Sequence, residues 1–206
     1  MKLINILYFF VLCFPFVARA YDDCLSYKLT PKITLDTPQW SKEVVQPLRY
    51  MDLLHGNVSA TLVDNYDIVA DITNIEDGYC VTLKSVFATV GYSDFLVQID
   101  IRHVPETCTY NAILSHEDEH IRAYLSVIDD FKKDLKDAIY SAADSITPIF
   151  VRSADDIDAA ITELNAELQA HPDLILVKQK IKAAEEIRNK RVDQHDTGQS
   201  LQKCFE

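Results

Sequence analysis

The sequence predicts an α+β fold: a small antiparallel sheet of three or four strands packed on a long helix, followed by a helical C-terminal part. Three observations carry this prediction. Residues 58–102 contain runs rich in β-branched and aromatic residues that alternate with polar ones. From Tyr110 onward, apolar residues recur at helical spacing. The strands precede the helices, which is the order of an α+β chain.

Residues 1–20 have the pattern of a secretory signal peptide. Lys2 precedes an almost wholly apolar run at residues 3–17, and residues 18–20 (Ala-Arg-Ala) form a small-x-small cleavage pattern. The apolar run of about 15 residues is shorter than the roughly 20 that span a membrane. We therefore expect an exported protein, periplasmic or secreted, that keeps no stable membrane anchor after cleavage.

The acidic charge excludes two classes of partner. The net charge is -12, and removal of the signal takes away Lys2 and Arg19 but no acid, so the mature chain carries -14. Nucleic acids and anionic membrane surfaces both require a basic face on the protein. We expect neither as a partner, and the sequence leaves the oligomeric state open.

The cysteines predict two disulfides. Cys13 lies in the signal, and the four that remain form an even set in an exported chain. Three pairings are possible. The favoured one joins Cys80 to Cys108 and Cys24 to Cys204, the second bond linking the two ends of the mature chain.

The elements follow from local patterns. Residues 41–54 predict a short helix, and Asp77-Gly78 predicts a turn. Strands are predicted at residues 58–63, 66–72, 79–90 and 95–102. In the last run Phe95, Val97, Ile99 and Ile101 share one face.

Helices dominate the rest of the chain. They are predicted at residues 110–137 with an extension to about 143, from 153 to about 171, and at 173–191. We predict that residues 21–206 form a single domain, with a helical C-terminal region at about 150–206.

Residues 116–120, His-Glu-Asp-Glu-His, match the H-E-x-x-H pattern of zinc-dependent proteases. The spacing places His116 and His120 on the same side of a helix, within reach of one tetrahedral ion. Glu117 would then act as the general base on a zinc-bound water. The motif predicts Zn²⁺ as the cofactor, with two histidine ligands and a catalytic glutamate.

Helical phase places Glu117 in the middle of the apolar face. With about 100° per residue, Ile113, Ile121 and Tyr124 fall within about 40° of it. A carboxyl group on a buried face is costly unless something compensates it. A nearby zinc ion would do so, and the apolar surroundings predict a raised pKa for Glu117.

A catalytic zinc ion has three protein ligands, so the motif lacks one. The extended pattern with a third histidine is absent, because its positions hold Ala123 and Ser126. We expect His195 as the third ligand, in a polar loop after the last helix and near Cys204. The alternatives are Glu163, Glu167, Asp144, Asp129 and His171. The remaining histidines, interpreted as surface or strand-end residues, are His55 and His103.

Around the motif the chain resembles a bacterial family of secreted zinc-dependent proteases that is catalogued as a domain of unknown function. The resemblance covers roughly residues 60–130. It consists of the alternating strand at 95–102, a Pro-Glu-x-Cys segment at 105–108 and the helix at 113–120. It implies a zincin-like fold, zinc bound by His116 and His120, and catalysis by Glu117. The strand before the helix would be a sheet edge that binds an extended peptide.

Together these features predict an exported zinc metallopeptidase, a hydrolase whose substrate is a peptide or protein. One alternative is a non-catalytic exported metal-binding or protein-interaction module that retains the H-E-x-x-H helix. Another is a disulfide-stabilised helical adaptor without a metal. The sequence does not define the substrate or the cleavage specificity.

Overall fold

The computed structural model describes residues 22–47, 55–195 and 199–205. The predicted signal peptide lies outside the described residues, and so does Cys13. The elements are β1 (Lys32–Asp36), β2 (Lys42–Val45), β3 (Gly56–Ile75), β4 (Gly78–Ile99), α1 (Cys108–Ser145), β5 (Ile149–Val151), a 3-10 helix (Ala154–Asp156), α2 (Ile157–Ala170), α3 (Pro172–His195) and α4 (Gln199–Gln202).

Five strands form one sheet, in which β4 pairs with each of the other four. A two-residue turn at residues 76–77 joins β3 to β4, and Asp77 lies in the left-handed region with a φ of 71°. β2 runs parallel to β4, with Lys42 opposite Phe95. β5 runs antiparallel to the first residues of β4. The α+β class is confirmed, but the sheet is larger than predicted and partly parallel.

The helix predicted at residues 41–54 is wrong for Lys42–Val45, which form β2. Val44 and Val45 are β-branched and favour an extended backbone, and pairing with β4 supplies hydrogen bonds that local propensity does not reveal. The Phe95 amide, for example, donates to the Ser41 carbonyl at 2.8 Å. Residues 48–54 lie outside the described part of the chain.

The four predicted strand runs belong to two long strands, β3 of 20 residues and β4 of 22. Gly91 does not interrupt β4. An added Cβ at Gly91 would lie 2.8 Å from Cδ of Pro38, so glycine allows the backbone of these two segments to approach closely. Phe95, Val97 and Ile99 are buried as predicted.

The C-terminal end of β4 is not the sheet edge that the sequence predicted at residues 95–102. β2 pairs with this stretch, and the amide of Asp100 donates to the carbonyl of His55, just before β3, at 2.9 Å. Addition of a peptide strand here is therefore excluded, because the backbone groups already have partners. Ile101 is exposed because β4 ends at Ile99.

α1 and α3 are longer than predicted, whereas the helix predicted from 153 to about 171 is an α-helix only over Ile157–Ala170, after a 3-10 turn. α1 is one helix of 38 residues rather than a helix with a separate extension. The Ser153 hydroxyl accepts from the amide of Asp155 at 3.2 Å, which caps the 3-10 turn before α2. α3 begins at Pro172, where the missing N–H costs no helical hydrogen bond. Among the described residues, no helix has the length and apolarity needed to cross a membrane.

Residue contacts divide the chain into two compact units. The first comprises the described part of Met1–Thr34 together with Asp67–Phe87 and Ile139–His171. The interior of this unit is aliphatic, so burial of apolar surface stabilises it. Its buried side chains include Val81, Leu83, Val86, Ile139, Leu164 and Leu168.

The second unit comprises Leu35–Tyr66, Ala88–Ala138 and the described part of Pro172–Glu206. It contains the H-E-x-x-H motif. Its buried side chains include Phe95, Val97, Ile99, Val127, Leu174 and Val177. A single domain over residues 21–206 stays a prediction.

The structure contains the two disulfides that the sequence predicted, but the favoured pairing is wrong. Cys24 bonds to Cys80 and Cys108 bonds to Cys204, with Cα–Cα distances of 5.3 and 5.6 Å. Each bond lies within one compact unit. An even cysteine count fixes how many bonds form, whereas tertiary contacts decide which cysteines meet. Two disulfides fit a protein that folds in an oxidising compartment.

We predict that a Cys108→Ser and Cys204→Ser double variant loses about 2–5 kcal/mol in the free energy of unfolding, because the bond closes a long loop in the unfolded chain. Urea denaturation measures the loss. Non-reducing peptide mapping of the parent protein should give a 24–80 and a 108–204 peptide pair. An 80–108 pair would show that the sequence-based pairing is correct.

Candidate metal centre

The H-E-x-x-H motif lies on α1, and its apolar face is buried as the helical phase predicted. Glu117 is only 4% exposed, between Ile113 and Ile121 at 4% and 3%. Glu119, on the opposite side, is exposed. The helix therefore holds one carboxyl group inside the protein and leaves its neighbour two residues later in solvent.

His116 and His120 meet a carboxylate from α3. The Nε2 atoms of the two histidines are 3.2 Å apart. Oδ1 of Asp193 lies 3.1 Å from Nε2 of His120 and 3.6 Å from Nε2 of His116. In a tetrahedral site with metal–ligand bonds of about 2.0–2.1 Å, ligand atoms are about 3.3 Å apart. The three atoms thus have the separations that one zinc-sized ion requires.

The third member of the group is Asp193, and His195 is not part of it. The sequence predicted that His195 lies in a loop, but it is the exposed last residue of α3. In a helix, residues two apart point in different directions, so only one of these two side chains faces the histidines. The sequence-based alternatives Glu163, Glu167, Asp144, Asp129 and His171 are likewise absent from the group.

Asn189 orients His120. Its Oδ1 lies 2.8 Å from Nδ1 of His120, and its Nδ2 donates to the carbonyl of Glu185 at 3.2 Å. An amide oxygen only accepts, so Nδ1 of His120 carries the proton. The lone pair of Nε2 is left on the side of His116 and Asp193. This is the arrangement in which a histidine ligates a metal through Nε2.

Contacts with two neighbouring elements hold α3 in position. The hydroxyl of Tyr92 on β4 donates to the carboxylate of Glu185. Arg188 forms an ion pair with Asp130 and donates to the hydroxyl of Ser126, both on α1. These contacts fix the helix that carries Asn189 and Asp193 relative to the helix that carries the histidines. Residues that are not candidate ligands therefore hold the ligands in position.

The backbone at the start of β3 closes over Glu117. An added Cβ at Gly56 would lie 2.5 Å from Oε1 of Glu117 and 2.6 Å from Cγ2 of Ile113. Only glycine leaves room for the carboxyl group there. Burial raises the pKa of Glu117 from 4.5 to about 7; His120 opposes this increase and Asp193 adds to it. At neutral pH the group is therefore able both to accept and to donate a proton.

An open cavity of about 470 Å³ lies beside the three candidate ligands and Glu117. Its apolar wall includes Val58, Ile113 and Leu201. Tyr124 contributes a ring that packs against Tyr92 with centroids 4.9 Å apart. The volume is in the range of sites that bind small molecules or single side chains.

Comparison with known proteins does not identify the chain. No family model matches it, and neither the curated proteins nor the solved structures contain a match. The resemblance to secreted zinc-dependent proteases therefore stays a prediction. What the site does must be inferred from its own geometry.

Sequence analysis did not identify Asp193, Asn189 or Gly56 as site residues. Asn189 and Asp193 have the same four-residue spacing as the two histidines, which is the one local signal that would have indicated them. For residues 173–191 the sequence predicted a helix and nothing more. Gly56 was one of only 4 glycines, and nothing local indicated what it would approach.

We predict that the stability of the metal-free protein falls as pH rises from about 4.5 to 7. In this window Glu117 keeps its proton in the folded state but loses it in the unfolded chain, so the folded state binds more protons. The free energy of unfolding should drop by about 3 kcal/mol across the window. Glu117→Gln should remove this part of the pH dependence in urea denaturation with chelator present, whereas the exposed control Glu119→Gln should retain it.

We predict that Asp193→Ala weakens Zn²⁺ binding by more than about 100-fold, because it removes a direct ligand. Loss of a residue that only supports a ligand weakens binding by about 10- to 100-fold, so loss of a ligand should cost more. Competition with a chromophoric chelator measures the affinity. His195→Ala, two residues along the same helix, is the matched control and should bind normally. The opposite pattern would identify His195 as the third ligand.

Proposed function

We propose that the protein is an exported zinc-dependent metallopeptidase that hydrolyses peptide bonds. The observation that carries the proposal is the arrangement of three potential ligands from two helices, His116, His120 and Asp193, beside a buried carboxyl group in an open cavity. A purely structural metal site would need no such carboxyl group.

The ligand set supports zinc. Two imidazole nitrogens and one carboxylate oxygen are ligands that Zn²⁺ accepts, and three protein ligands leave a coordination position open for chemistry. His116, His120 and Asp193 would hold the ion. When bound, it would supply Lewis-acid activation of a water molecule and of the substrate carbonyl group.

Glu117 would carry the proton during hydrolysis. Its carboxylate would accept a proton from the attacking water as the water oxygen bonds to the carbonyl carbon. It would then donate that proton to the nitrogen as the C–N bond breaks. Without a metal ion, burial raises the pKa of Glu117 to about 7, close to the pH at which both steps would take place. Positive charge from a bound ion would favour the carboxylate form, as acceptance of the proton requires.

Other parts of the chain support a peptide substrate. The apolar wall that includes Val58, Ile113 and Leu201 offers a place for an apolar side chain next to Glu117. An H-E-x-x-H helix with its third ligand on a later helix is also the plan that a zincin-like fold would have. The two disulfides fit a protein that acts outside the cytoplasm.

We predict that Glu117→Gln retains Zn²⁺ but lowers kcat/KM by about 10²–10⁴-fold, because proton transfer is lost while the ligands remain. The assay incubates the mature protein with a mixture of unstructured peptides and detects cleavage by mass spectrometry. Metal content is measured on the same samples. Glu119→Gln, an exposed glutamate on the same helix, is the matched control.

Two results would contradict the proposal. If the parent protein binds zinc but cleaves no peptide, the non-catalytic metal-binding module is the better hypothesis. If Glu117→Gln cleaves as fast as Glu119→Gln, the protein is an enzyme but Glu117 is not its general base.

A further inference from the structure

Two histidines outside the motif form a second close pair in the same compact unit. Nδ1 of His55 lies 3.0 Å from Nε2 of His103, and the ring centroids are 5.1 Å apart at an angle of 63°. The corresponding values for His116 and His120 are 3.2 Å, 4.8 Å and 87°. Both pairs therefore bring two imidazole nitrogens to a separation that one metal ion can bridge.

The two histidines come from segments 48 residues apart in the chain, so only the fold brings them together. Backbone hydrogen bonds to Asp100 fix the positions of both histidines. The carbonyl of His55 accepts from the Asp100 amide at 2.9 Å, and the His103 amide donates to the Asp100 carbonyl at 3.0 Å. The side chain of Gln46 donates to the carbonyl of His103 at 2.7 Å. The pair is thus held by backbone contacts on both sides.

The pair is accessible, and His55 also lines the cavity of the candidate metal centre. An ion can therefore reach it from solvent. Imidazole nitrogen is a ligand that Zn²⁺, Cu²⁺ and Ni²⁺ accept, whereas Mg²⁺ and Ca²⁺ prefer oxygen. Two protein ligands leave the remaining coordination positions to water or to a solute, which makes such a site weaker than one with three protein ligands.

We propose that His55 and His103 form a second site for a divalent transition-metal ion, at the rim of the cavity and weaker than the site at His116, His120 and Asp193. The proposal does not require that the protein hydrolyses peptides. Its consequence is that Zn²⁺ above one equivalent binds next to the cavity instead of remaining in solution.

The first test is a ZnCl₂ titration of the chelator-treated mature protein, followed by competition with a chromophoric chelator. We expect two equivalents, one tight and one weaker. His103→Ala and His55→Ala should each abolish the weaker equivalent and leave the tight one. His171→Ala, which removes a histidine from the other compact unit, is the matched control and should retain both.

The second test separates the two sites. In His116→Ala the tight equivalent should be lost while the weaker one remains, so failure of the proposed function does not affect this result. The imidazole NMR signals of His55 and His103 in that variant should broaden when Cu²⁺ is added at low stoichiometry. This measurement leaves both histidines in place, so it holds even where His55→Ala or His103→Ala fails to fold.

Three outcomes would overturn the proposal. The parent protein binds a single equivalent of Zn²⁺; the weaker equivalent survives in both His55→Ala and His103→Ala; or Cu²⁺ broadens other histidine signals and leaves these two sharp. In each case the pair is only a hydrogen bond between two imidazoles.

Discussion

The burial of the Glu117 carboxyl group is the constraint on which the candidate site depends. A carboxyl group that is 4% exposed loses most of its hydration, and burial raises its pKa to about 7. The protein accommodates the group in two ways. Gly56 has no side chain, so the space that a Cβ would occupy is left to the carboxyl group, and the two motif imidazoles lie at the edge of the same face of α1. A cation between those imidazoles would favour the ionised form, so the acid and the candidate metal site belong to one electrostatic arrangement.

The geometry of this arrangement is set by α3. Asp193 lies close to both motif histidines, and Asn189, one turn earlier, fixes the proton of His120 on Nδ1. The position of α3 depends in turn on Glu185 and Arg188, whose partners lie on β4 and α1. In α3, therefore, Asn189 and Asp193 contact the motif histidines, while Glu185 and Arg188 fix the position of the helix.

Local patterns predicted the parts of the fold that depend on neighbours in sequence. The burial of Phe95, Val97 and Ile99 and the buried face of α1 follow from periods of two and of 3.6 residues, which chain geometry imposes. The helix predicted at Lys42–Val45 was wrong because the conformation of this segment depends on a distant part of the chain. This segment is extended because it pairs in parallel with β4, more than 50 residues later in the chain. The same pairing explains why residues 95–98 are not the sheet edge that the sequence predicted.

By itself, the sequence determined that Glu117 is buried and that His116 and His120 share an edge of that face, because a helix fixes the relative direction of residues three and four apart. It also determined the number of disulfides. Only the tertiary structure decided that Asp193 rather than His195 joins the histidines, that Cys24 pairs with Cys80, and that His55 meets His103. These contacts join residues tens of positions apart, and their geometry is set by the packing of whole elements rather than by any local period of the chain.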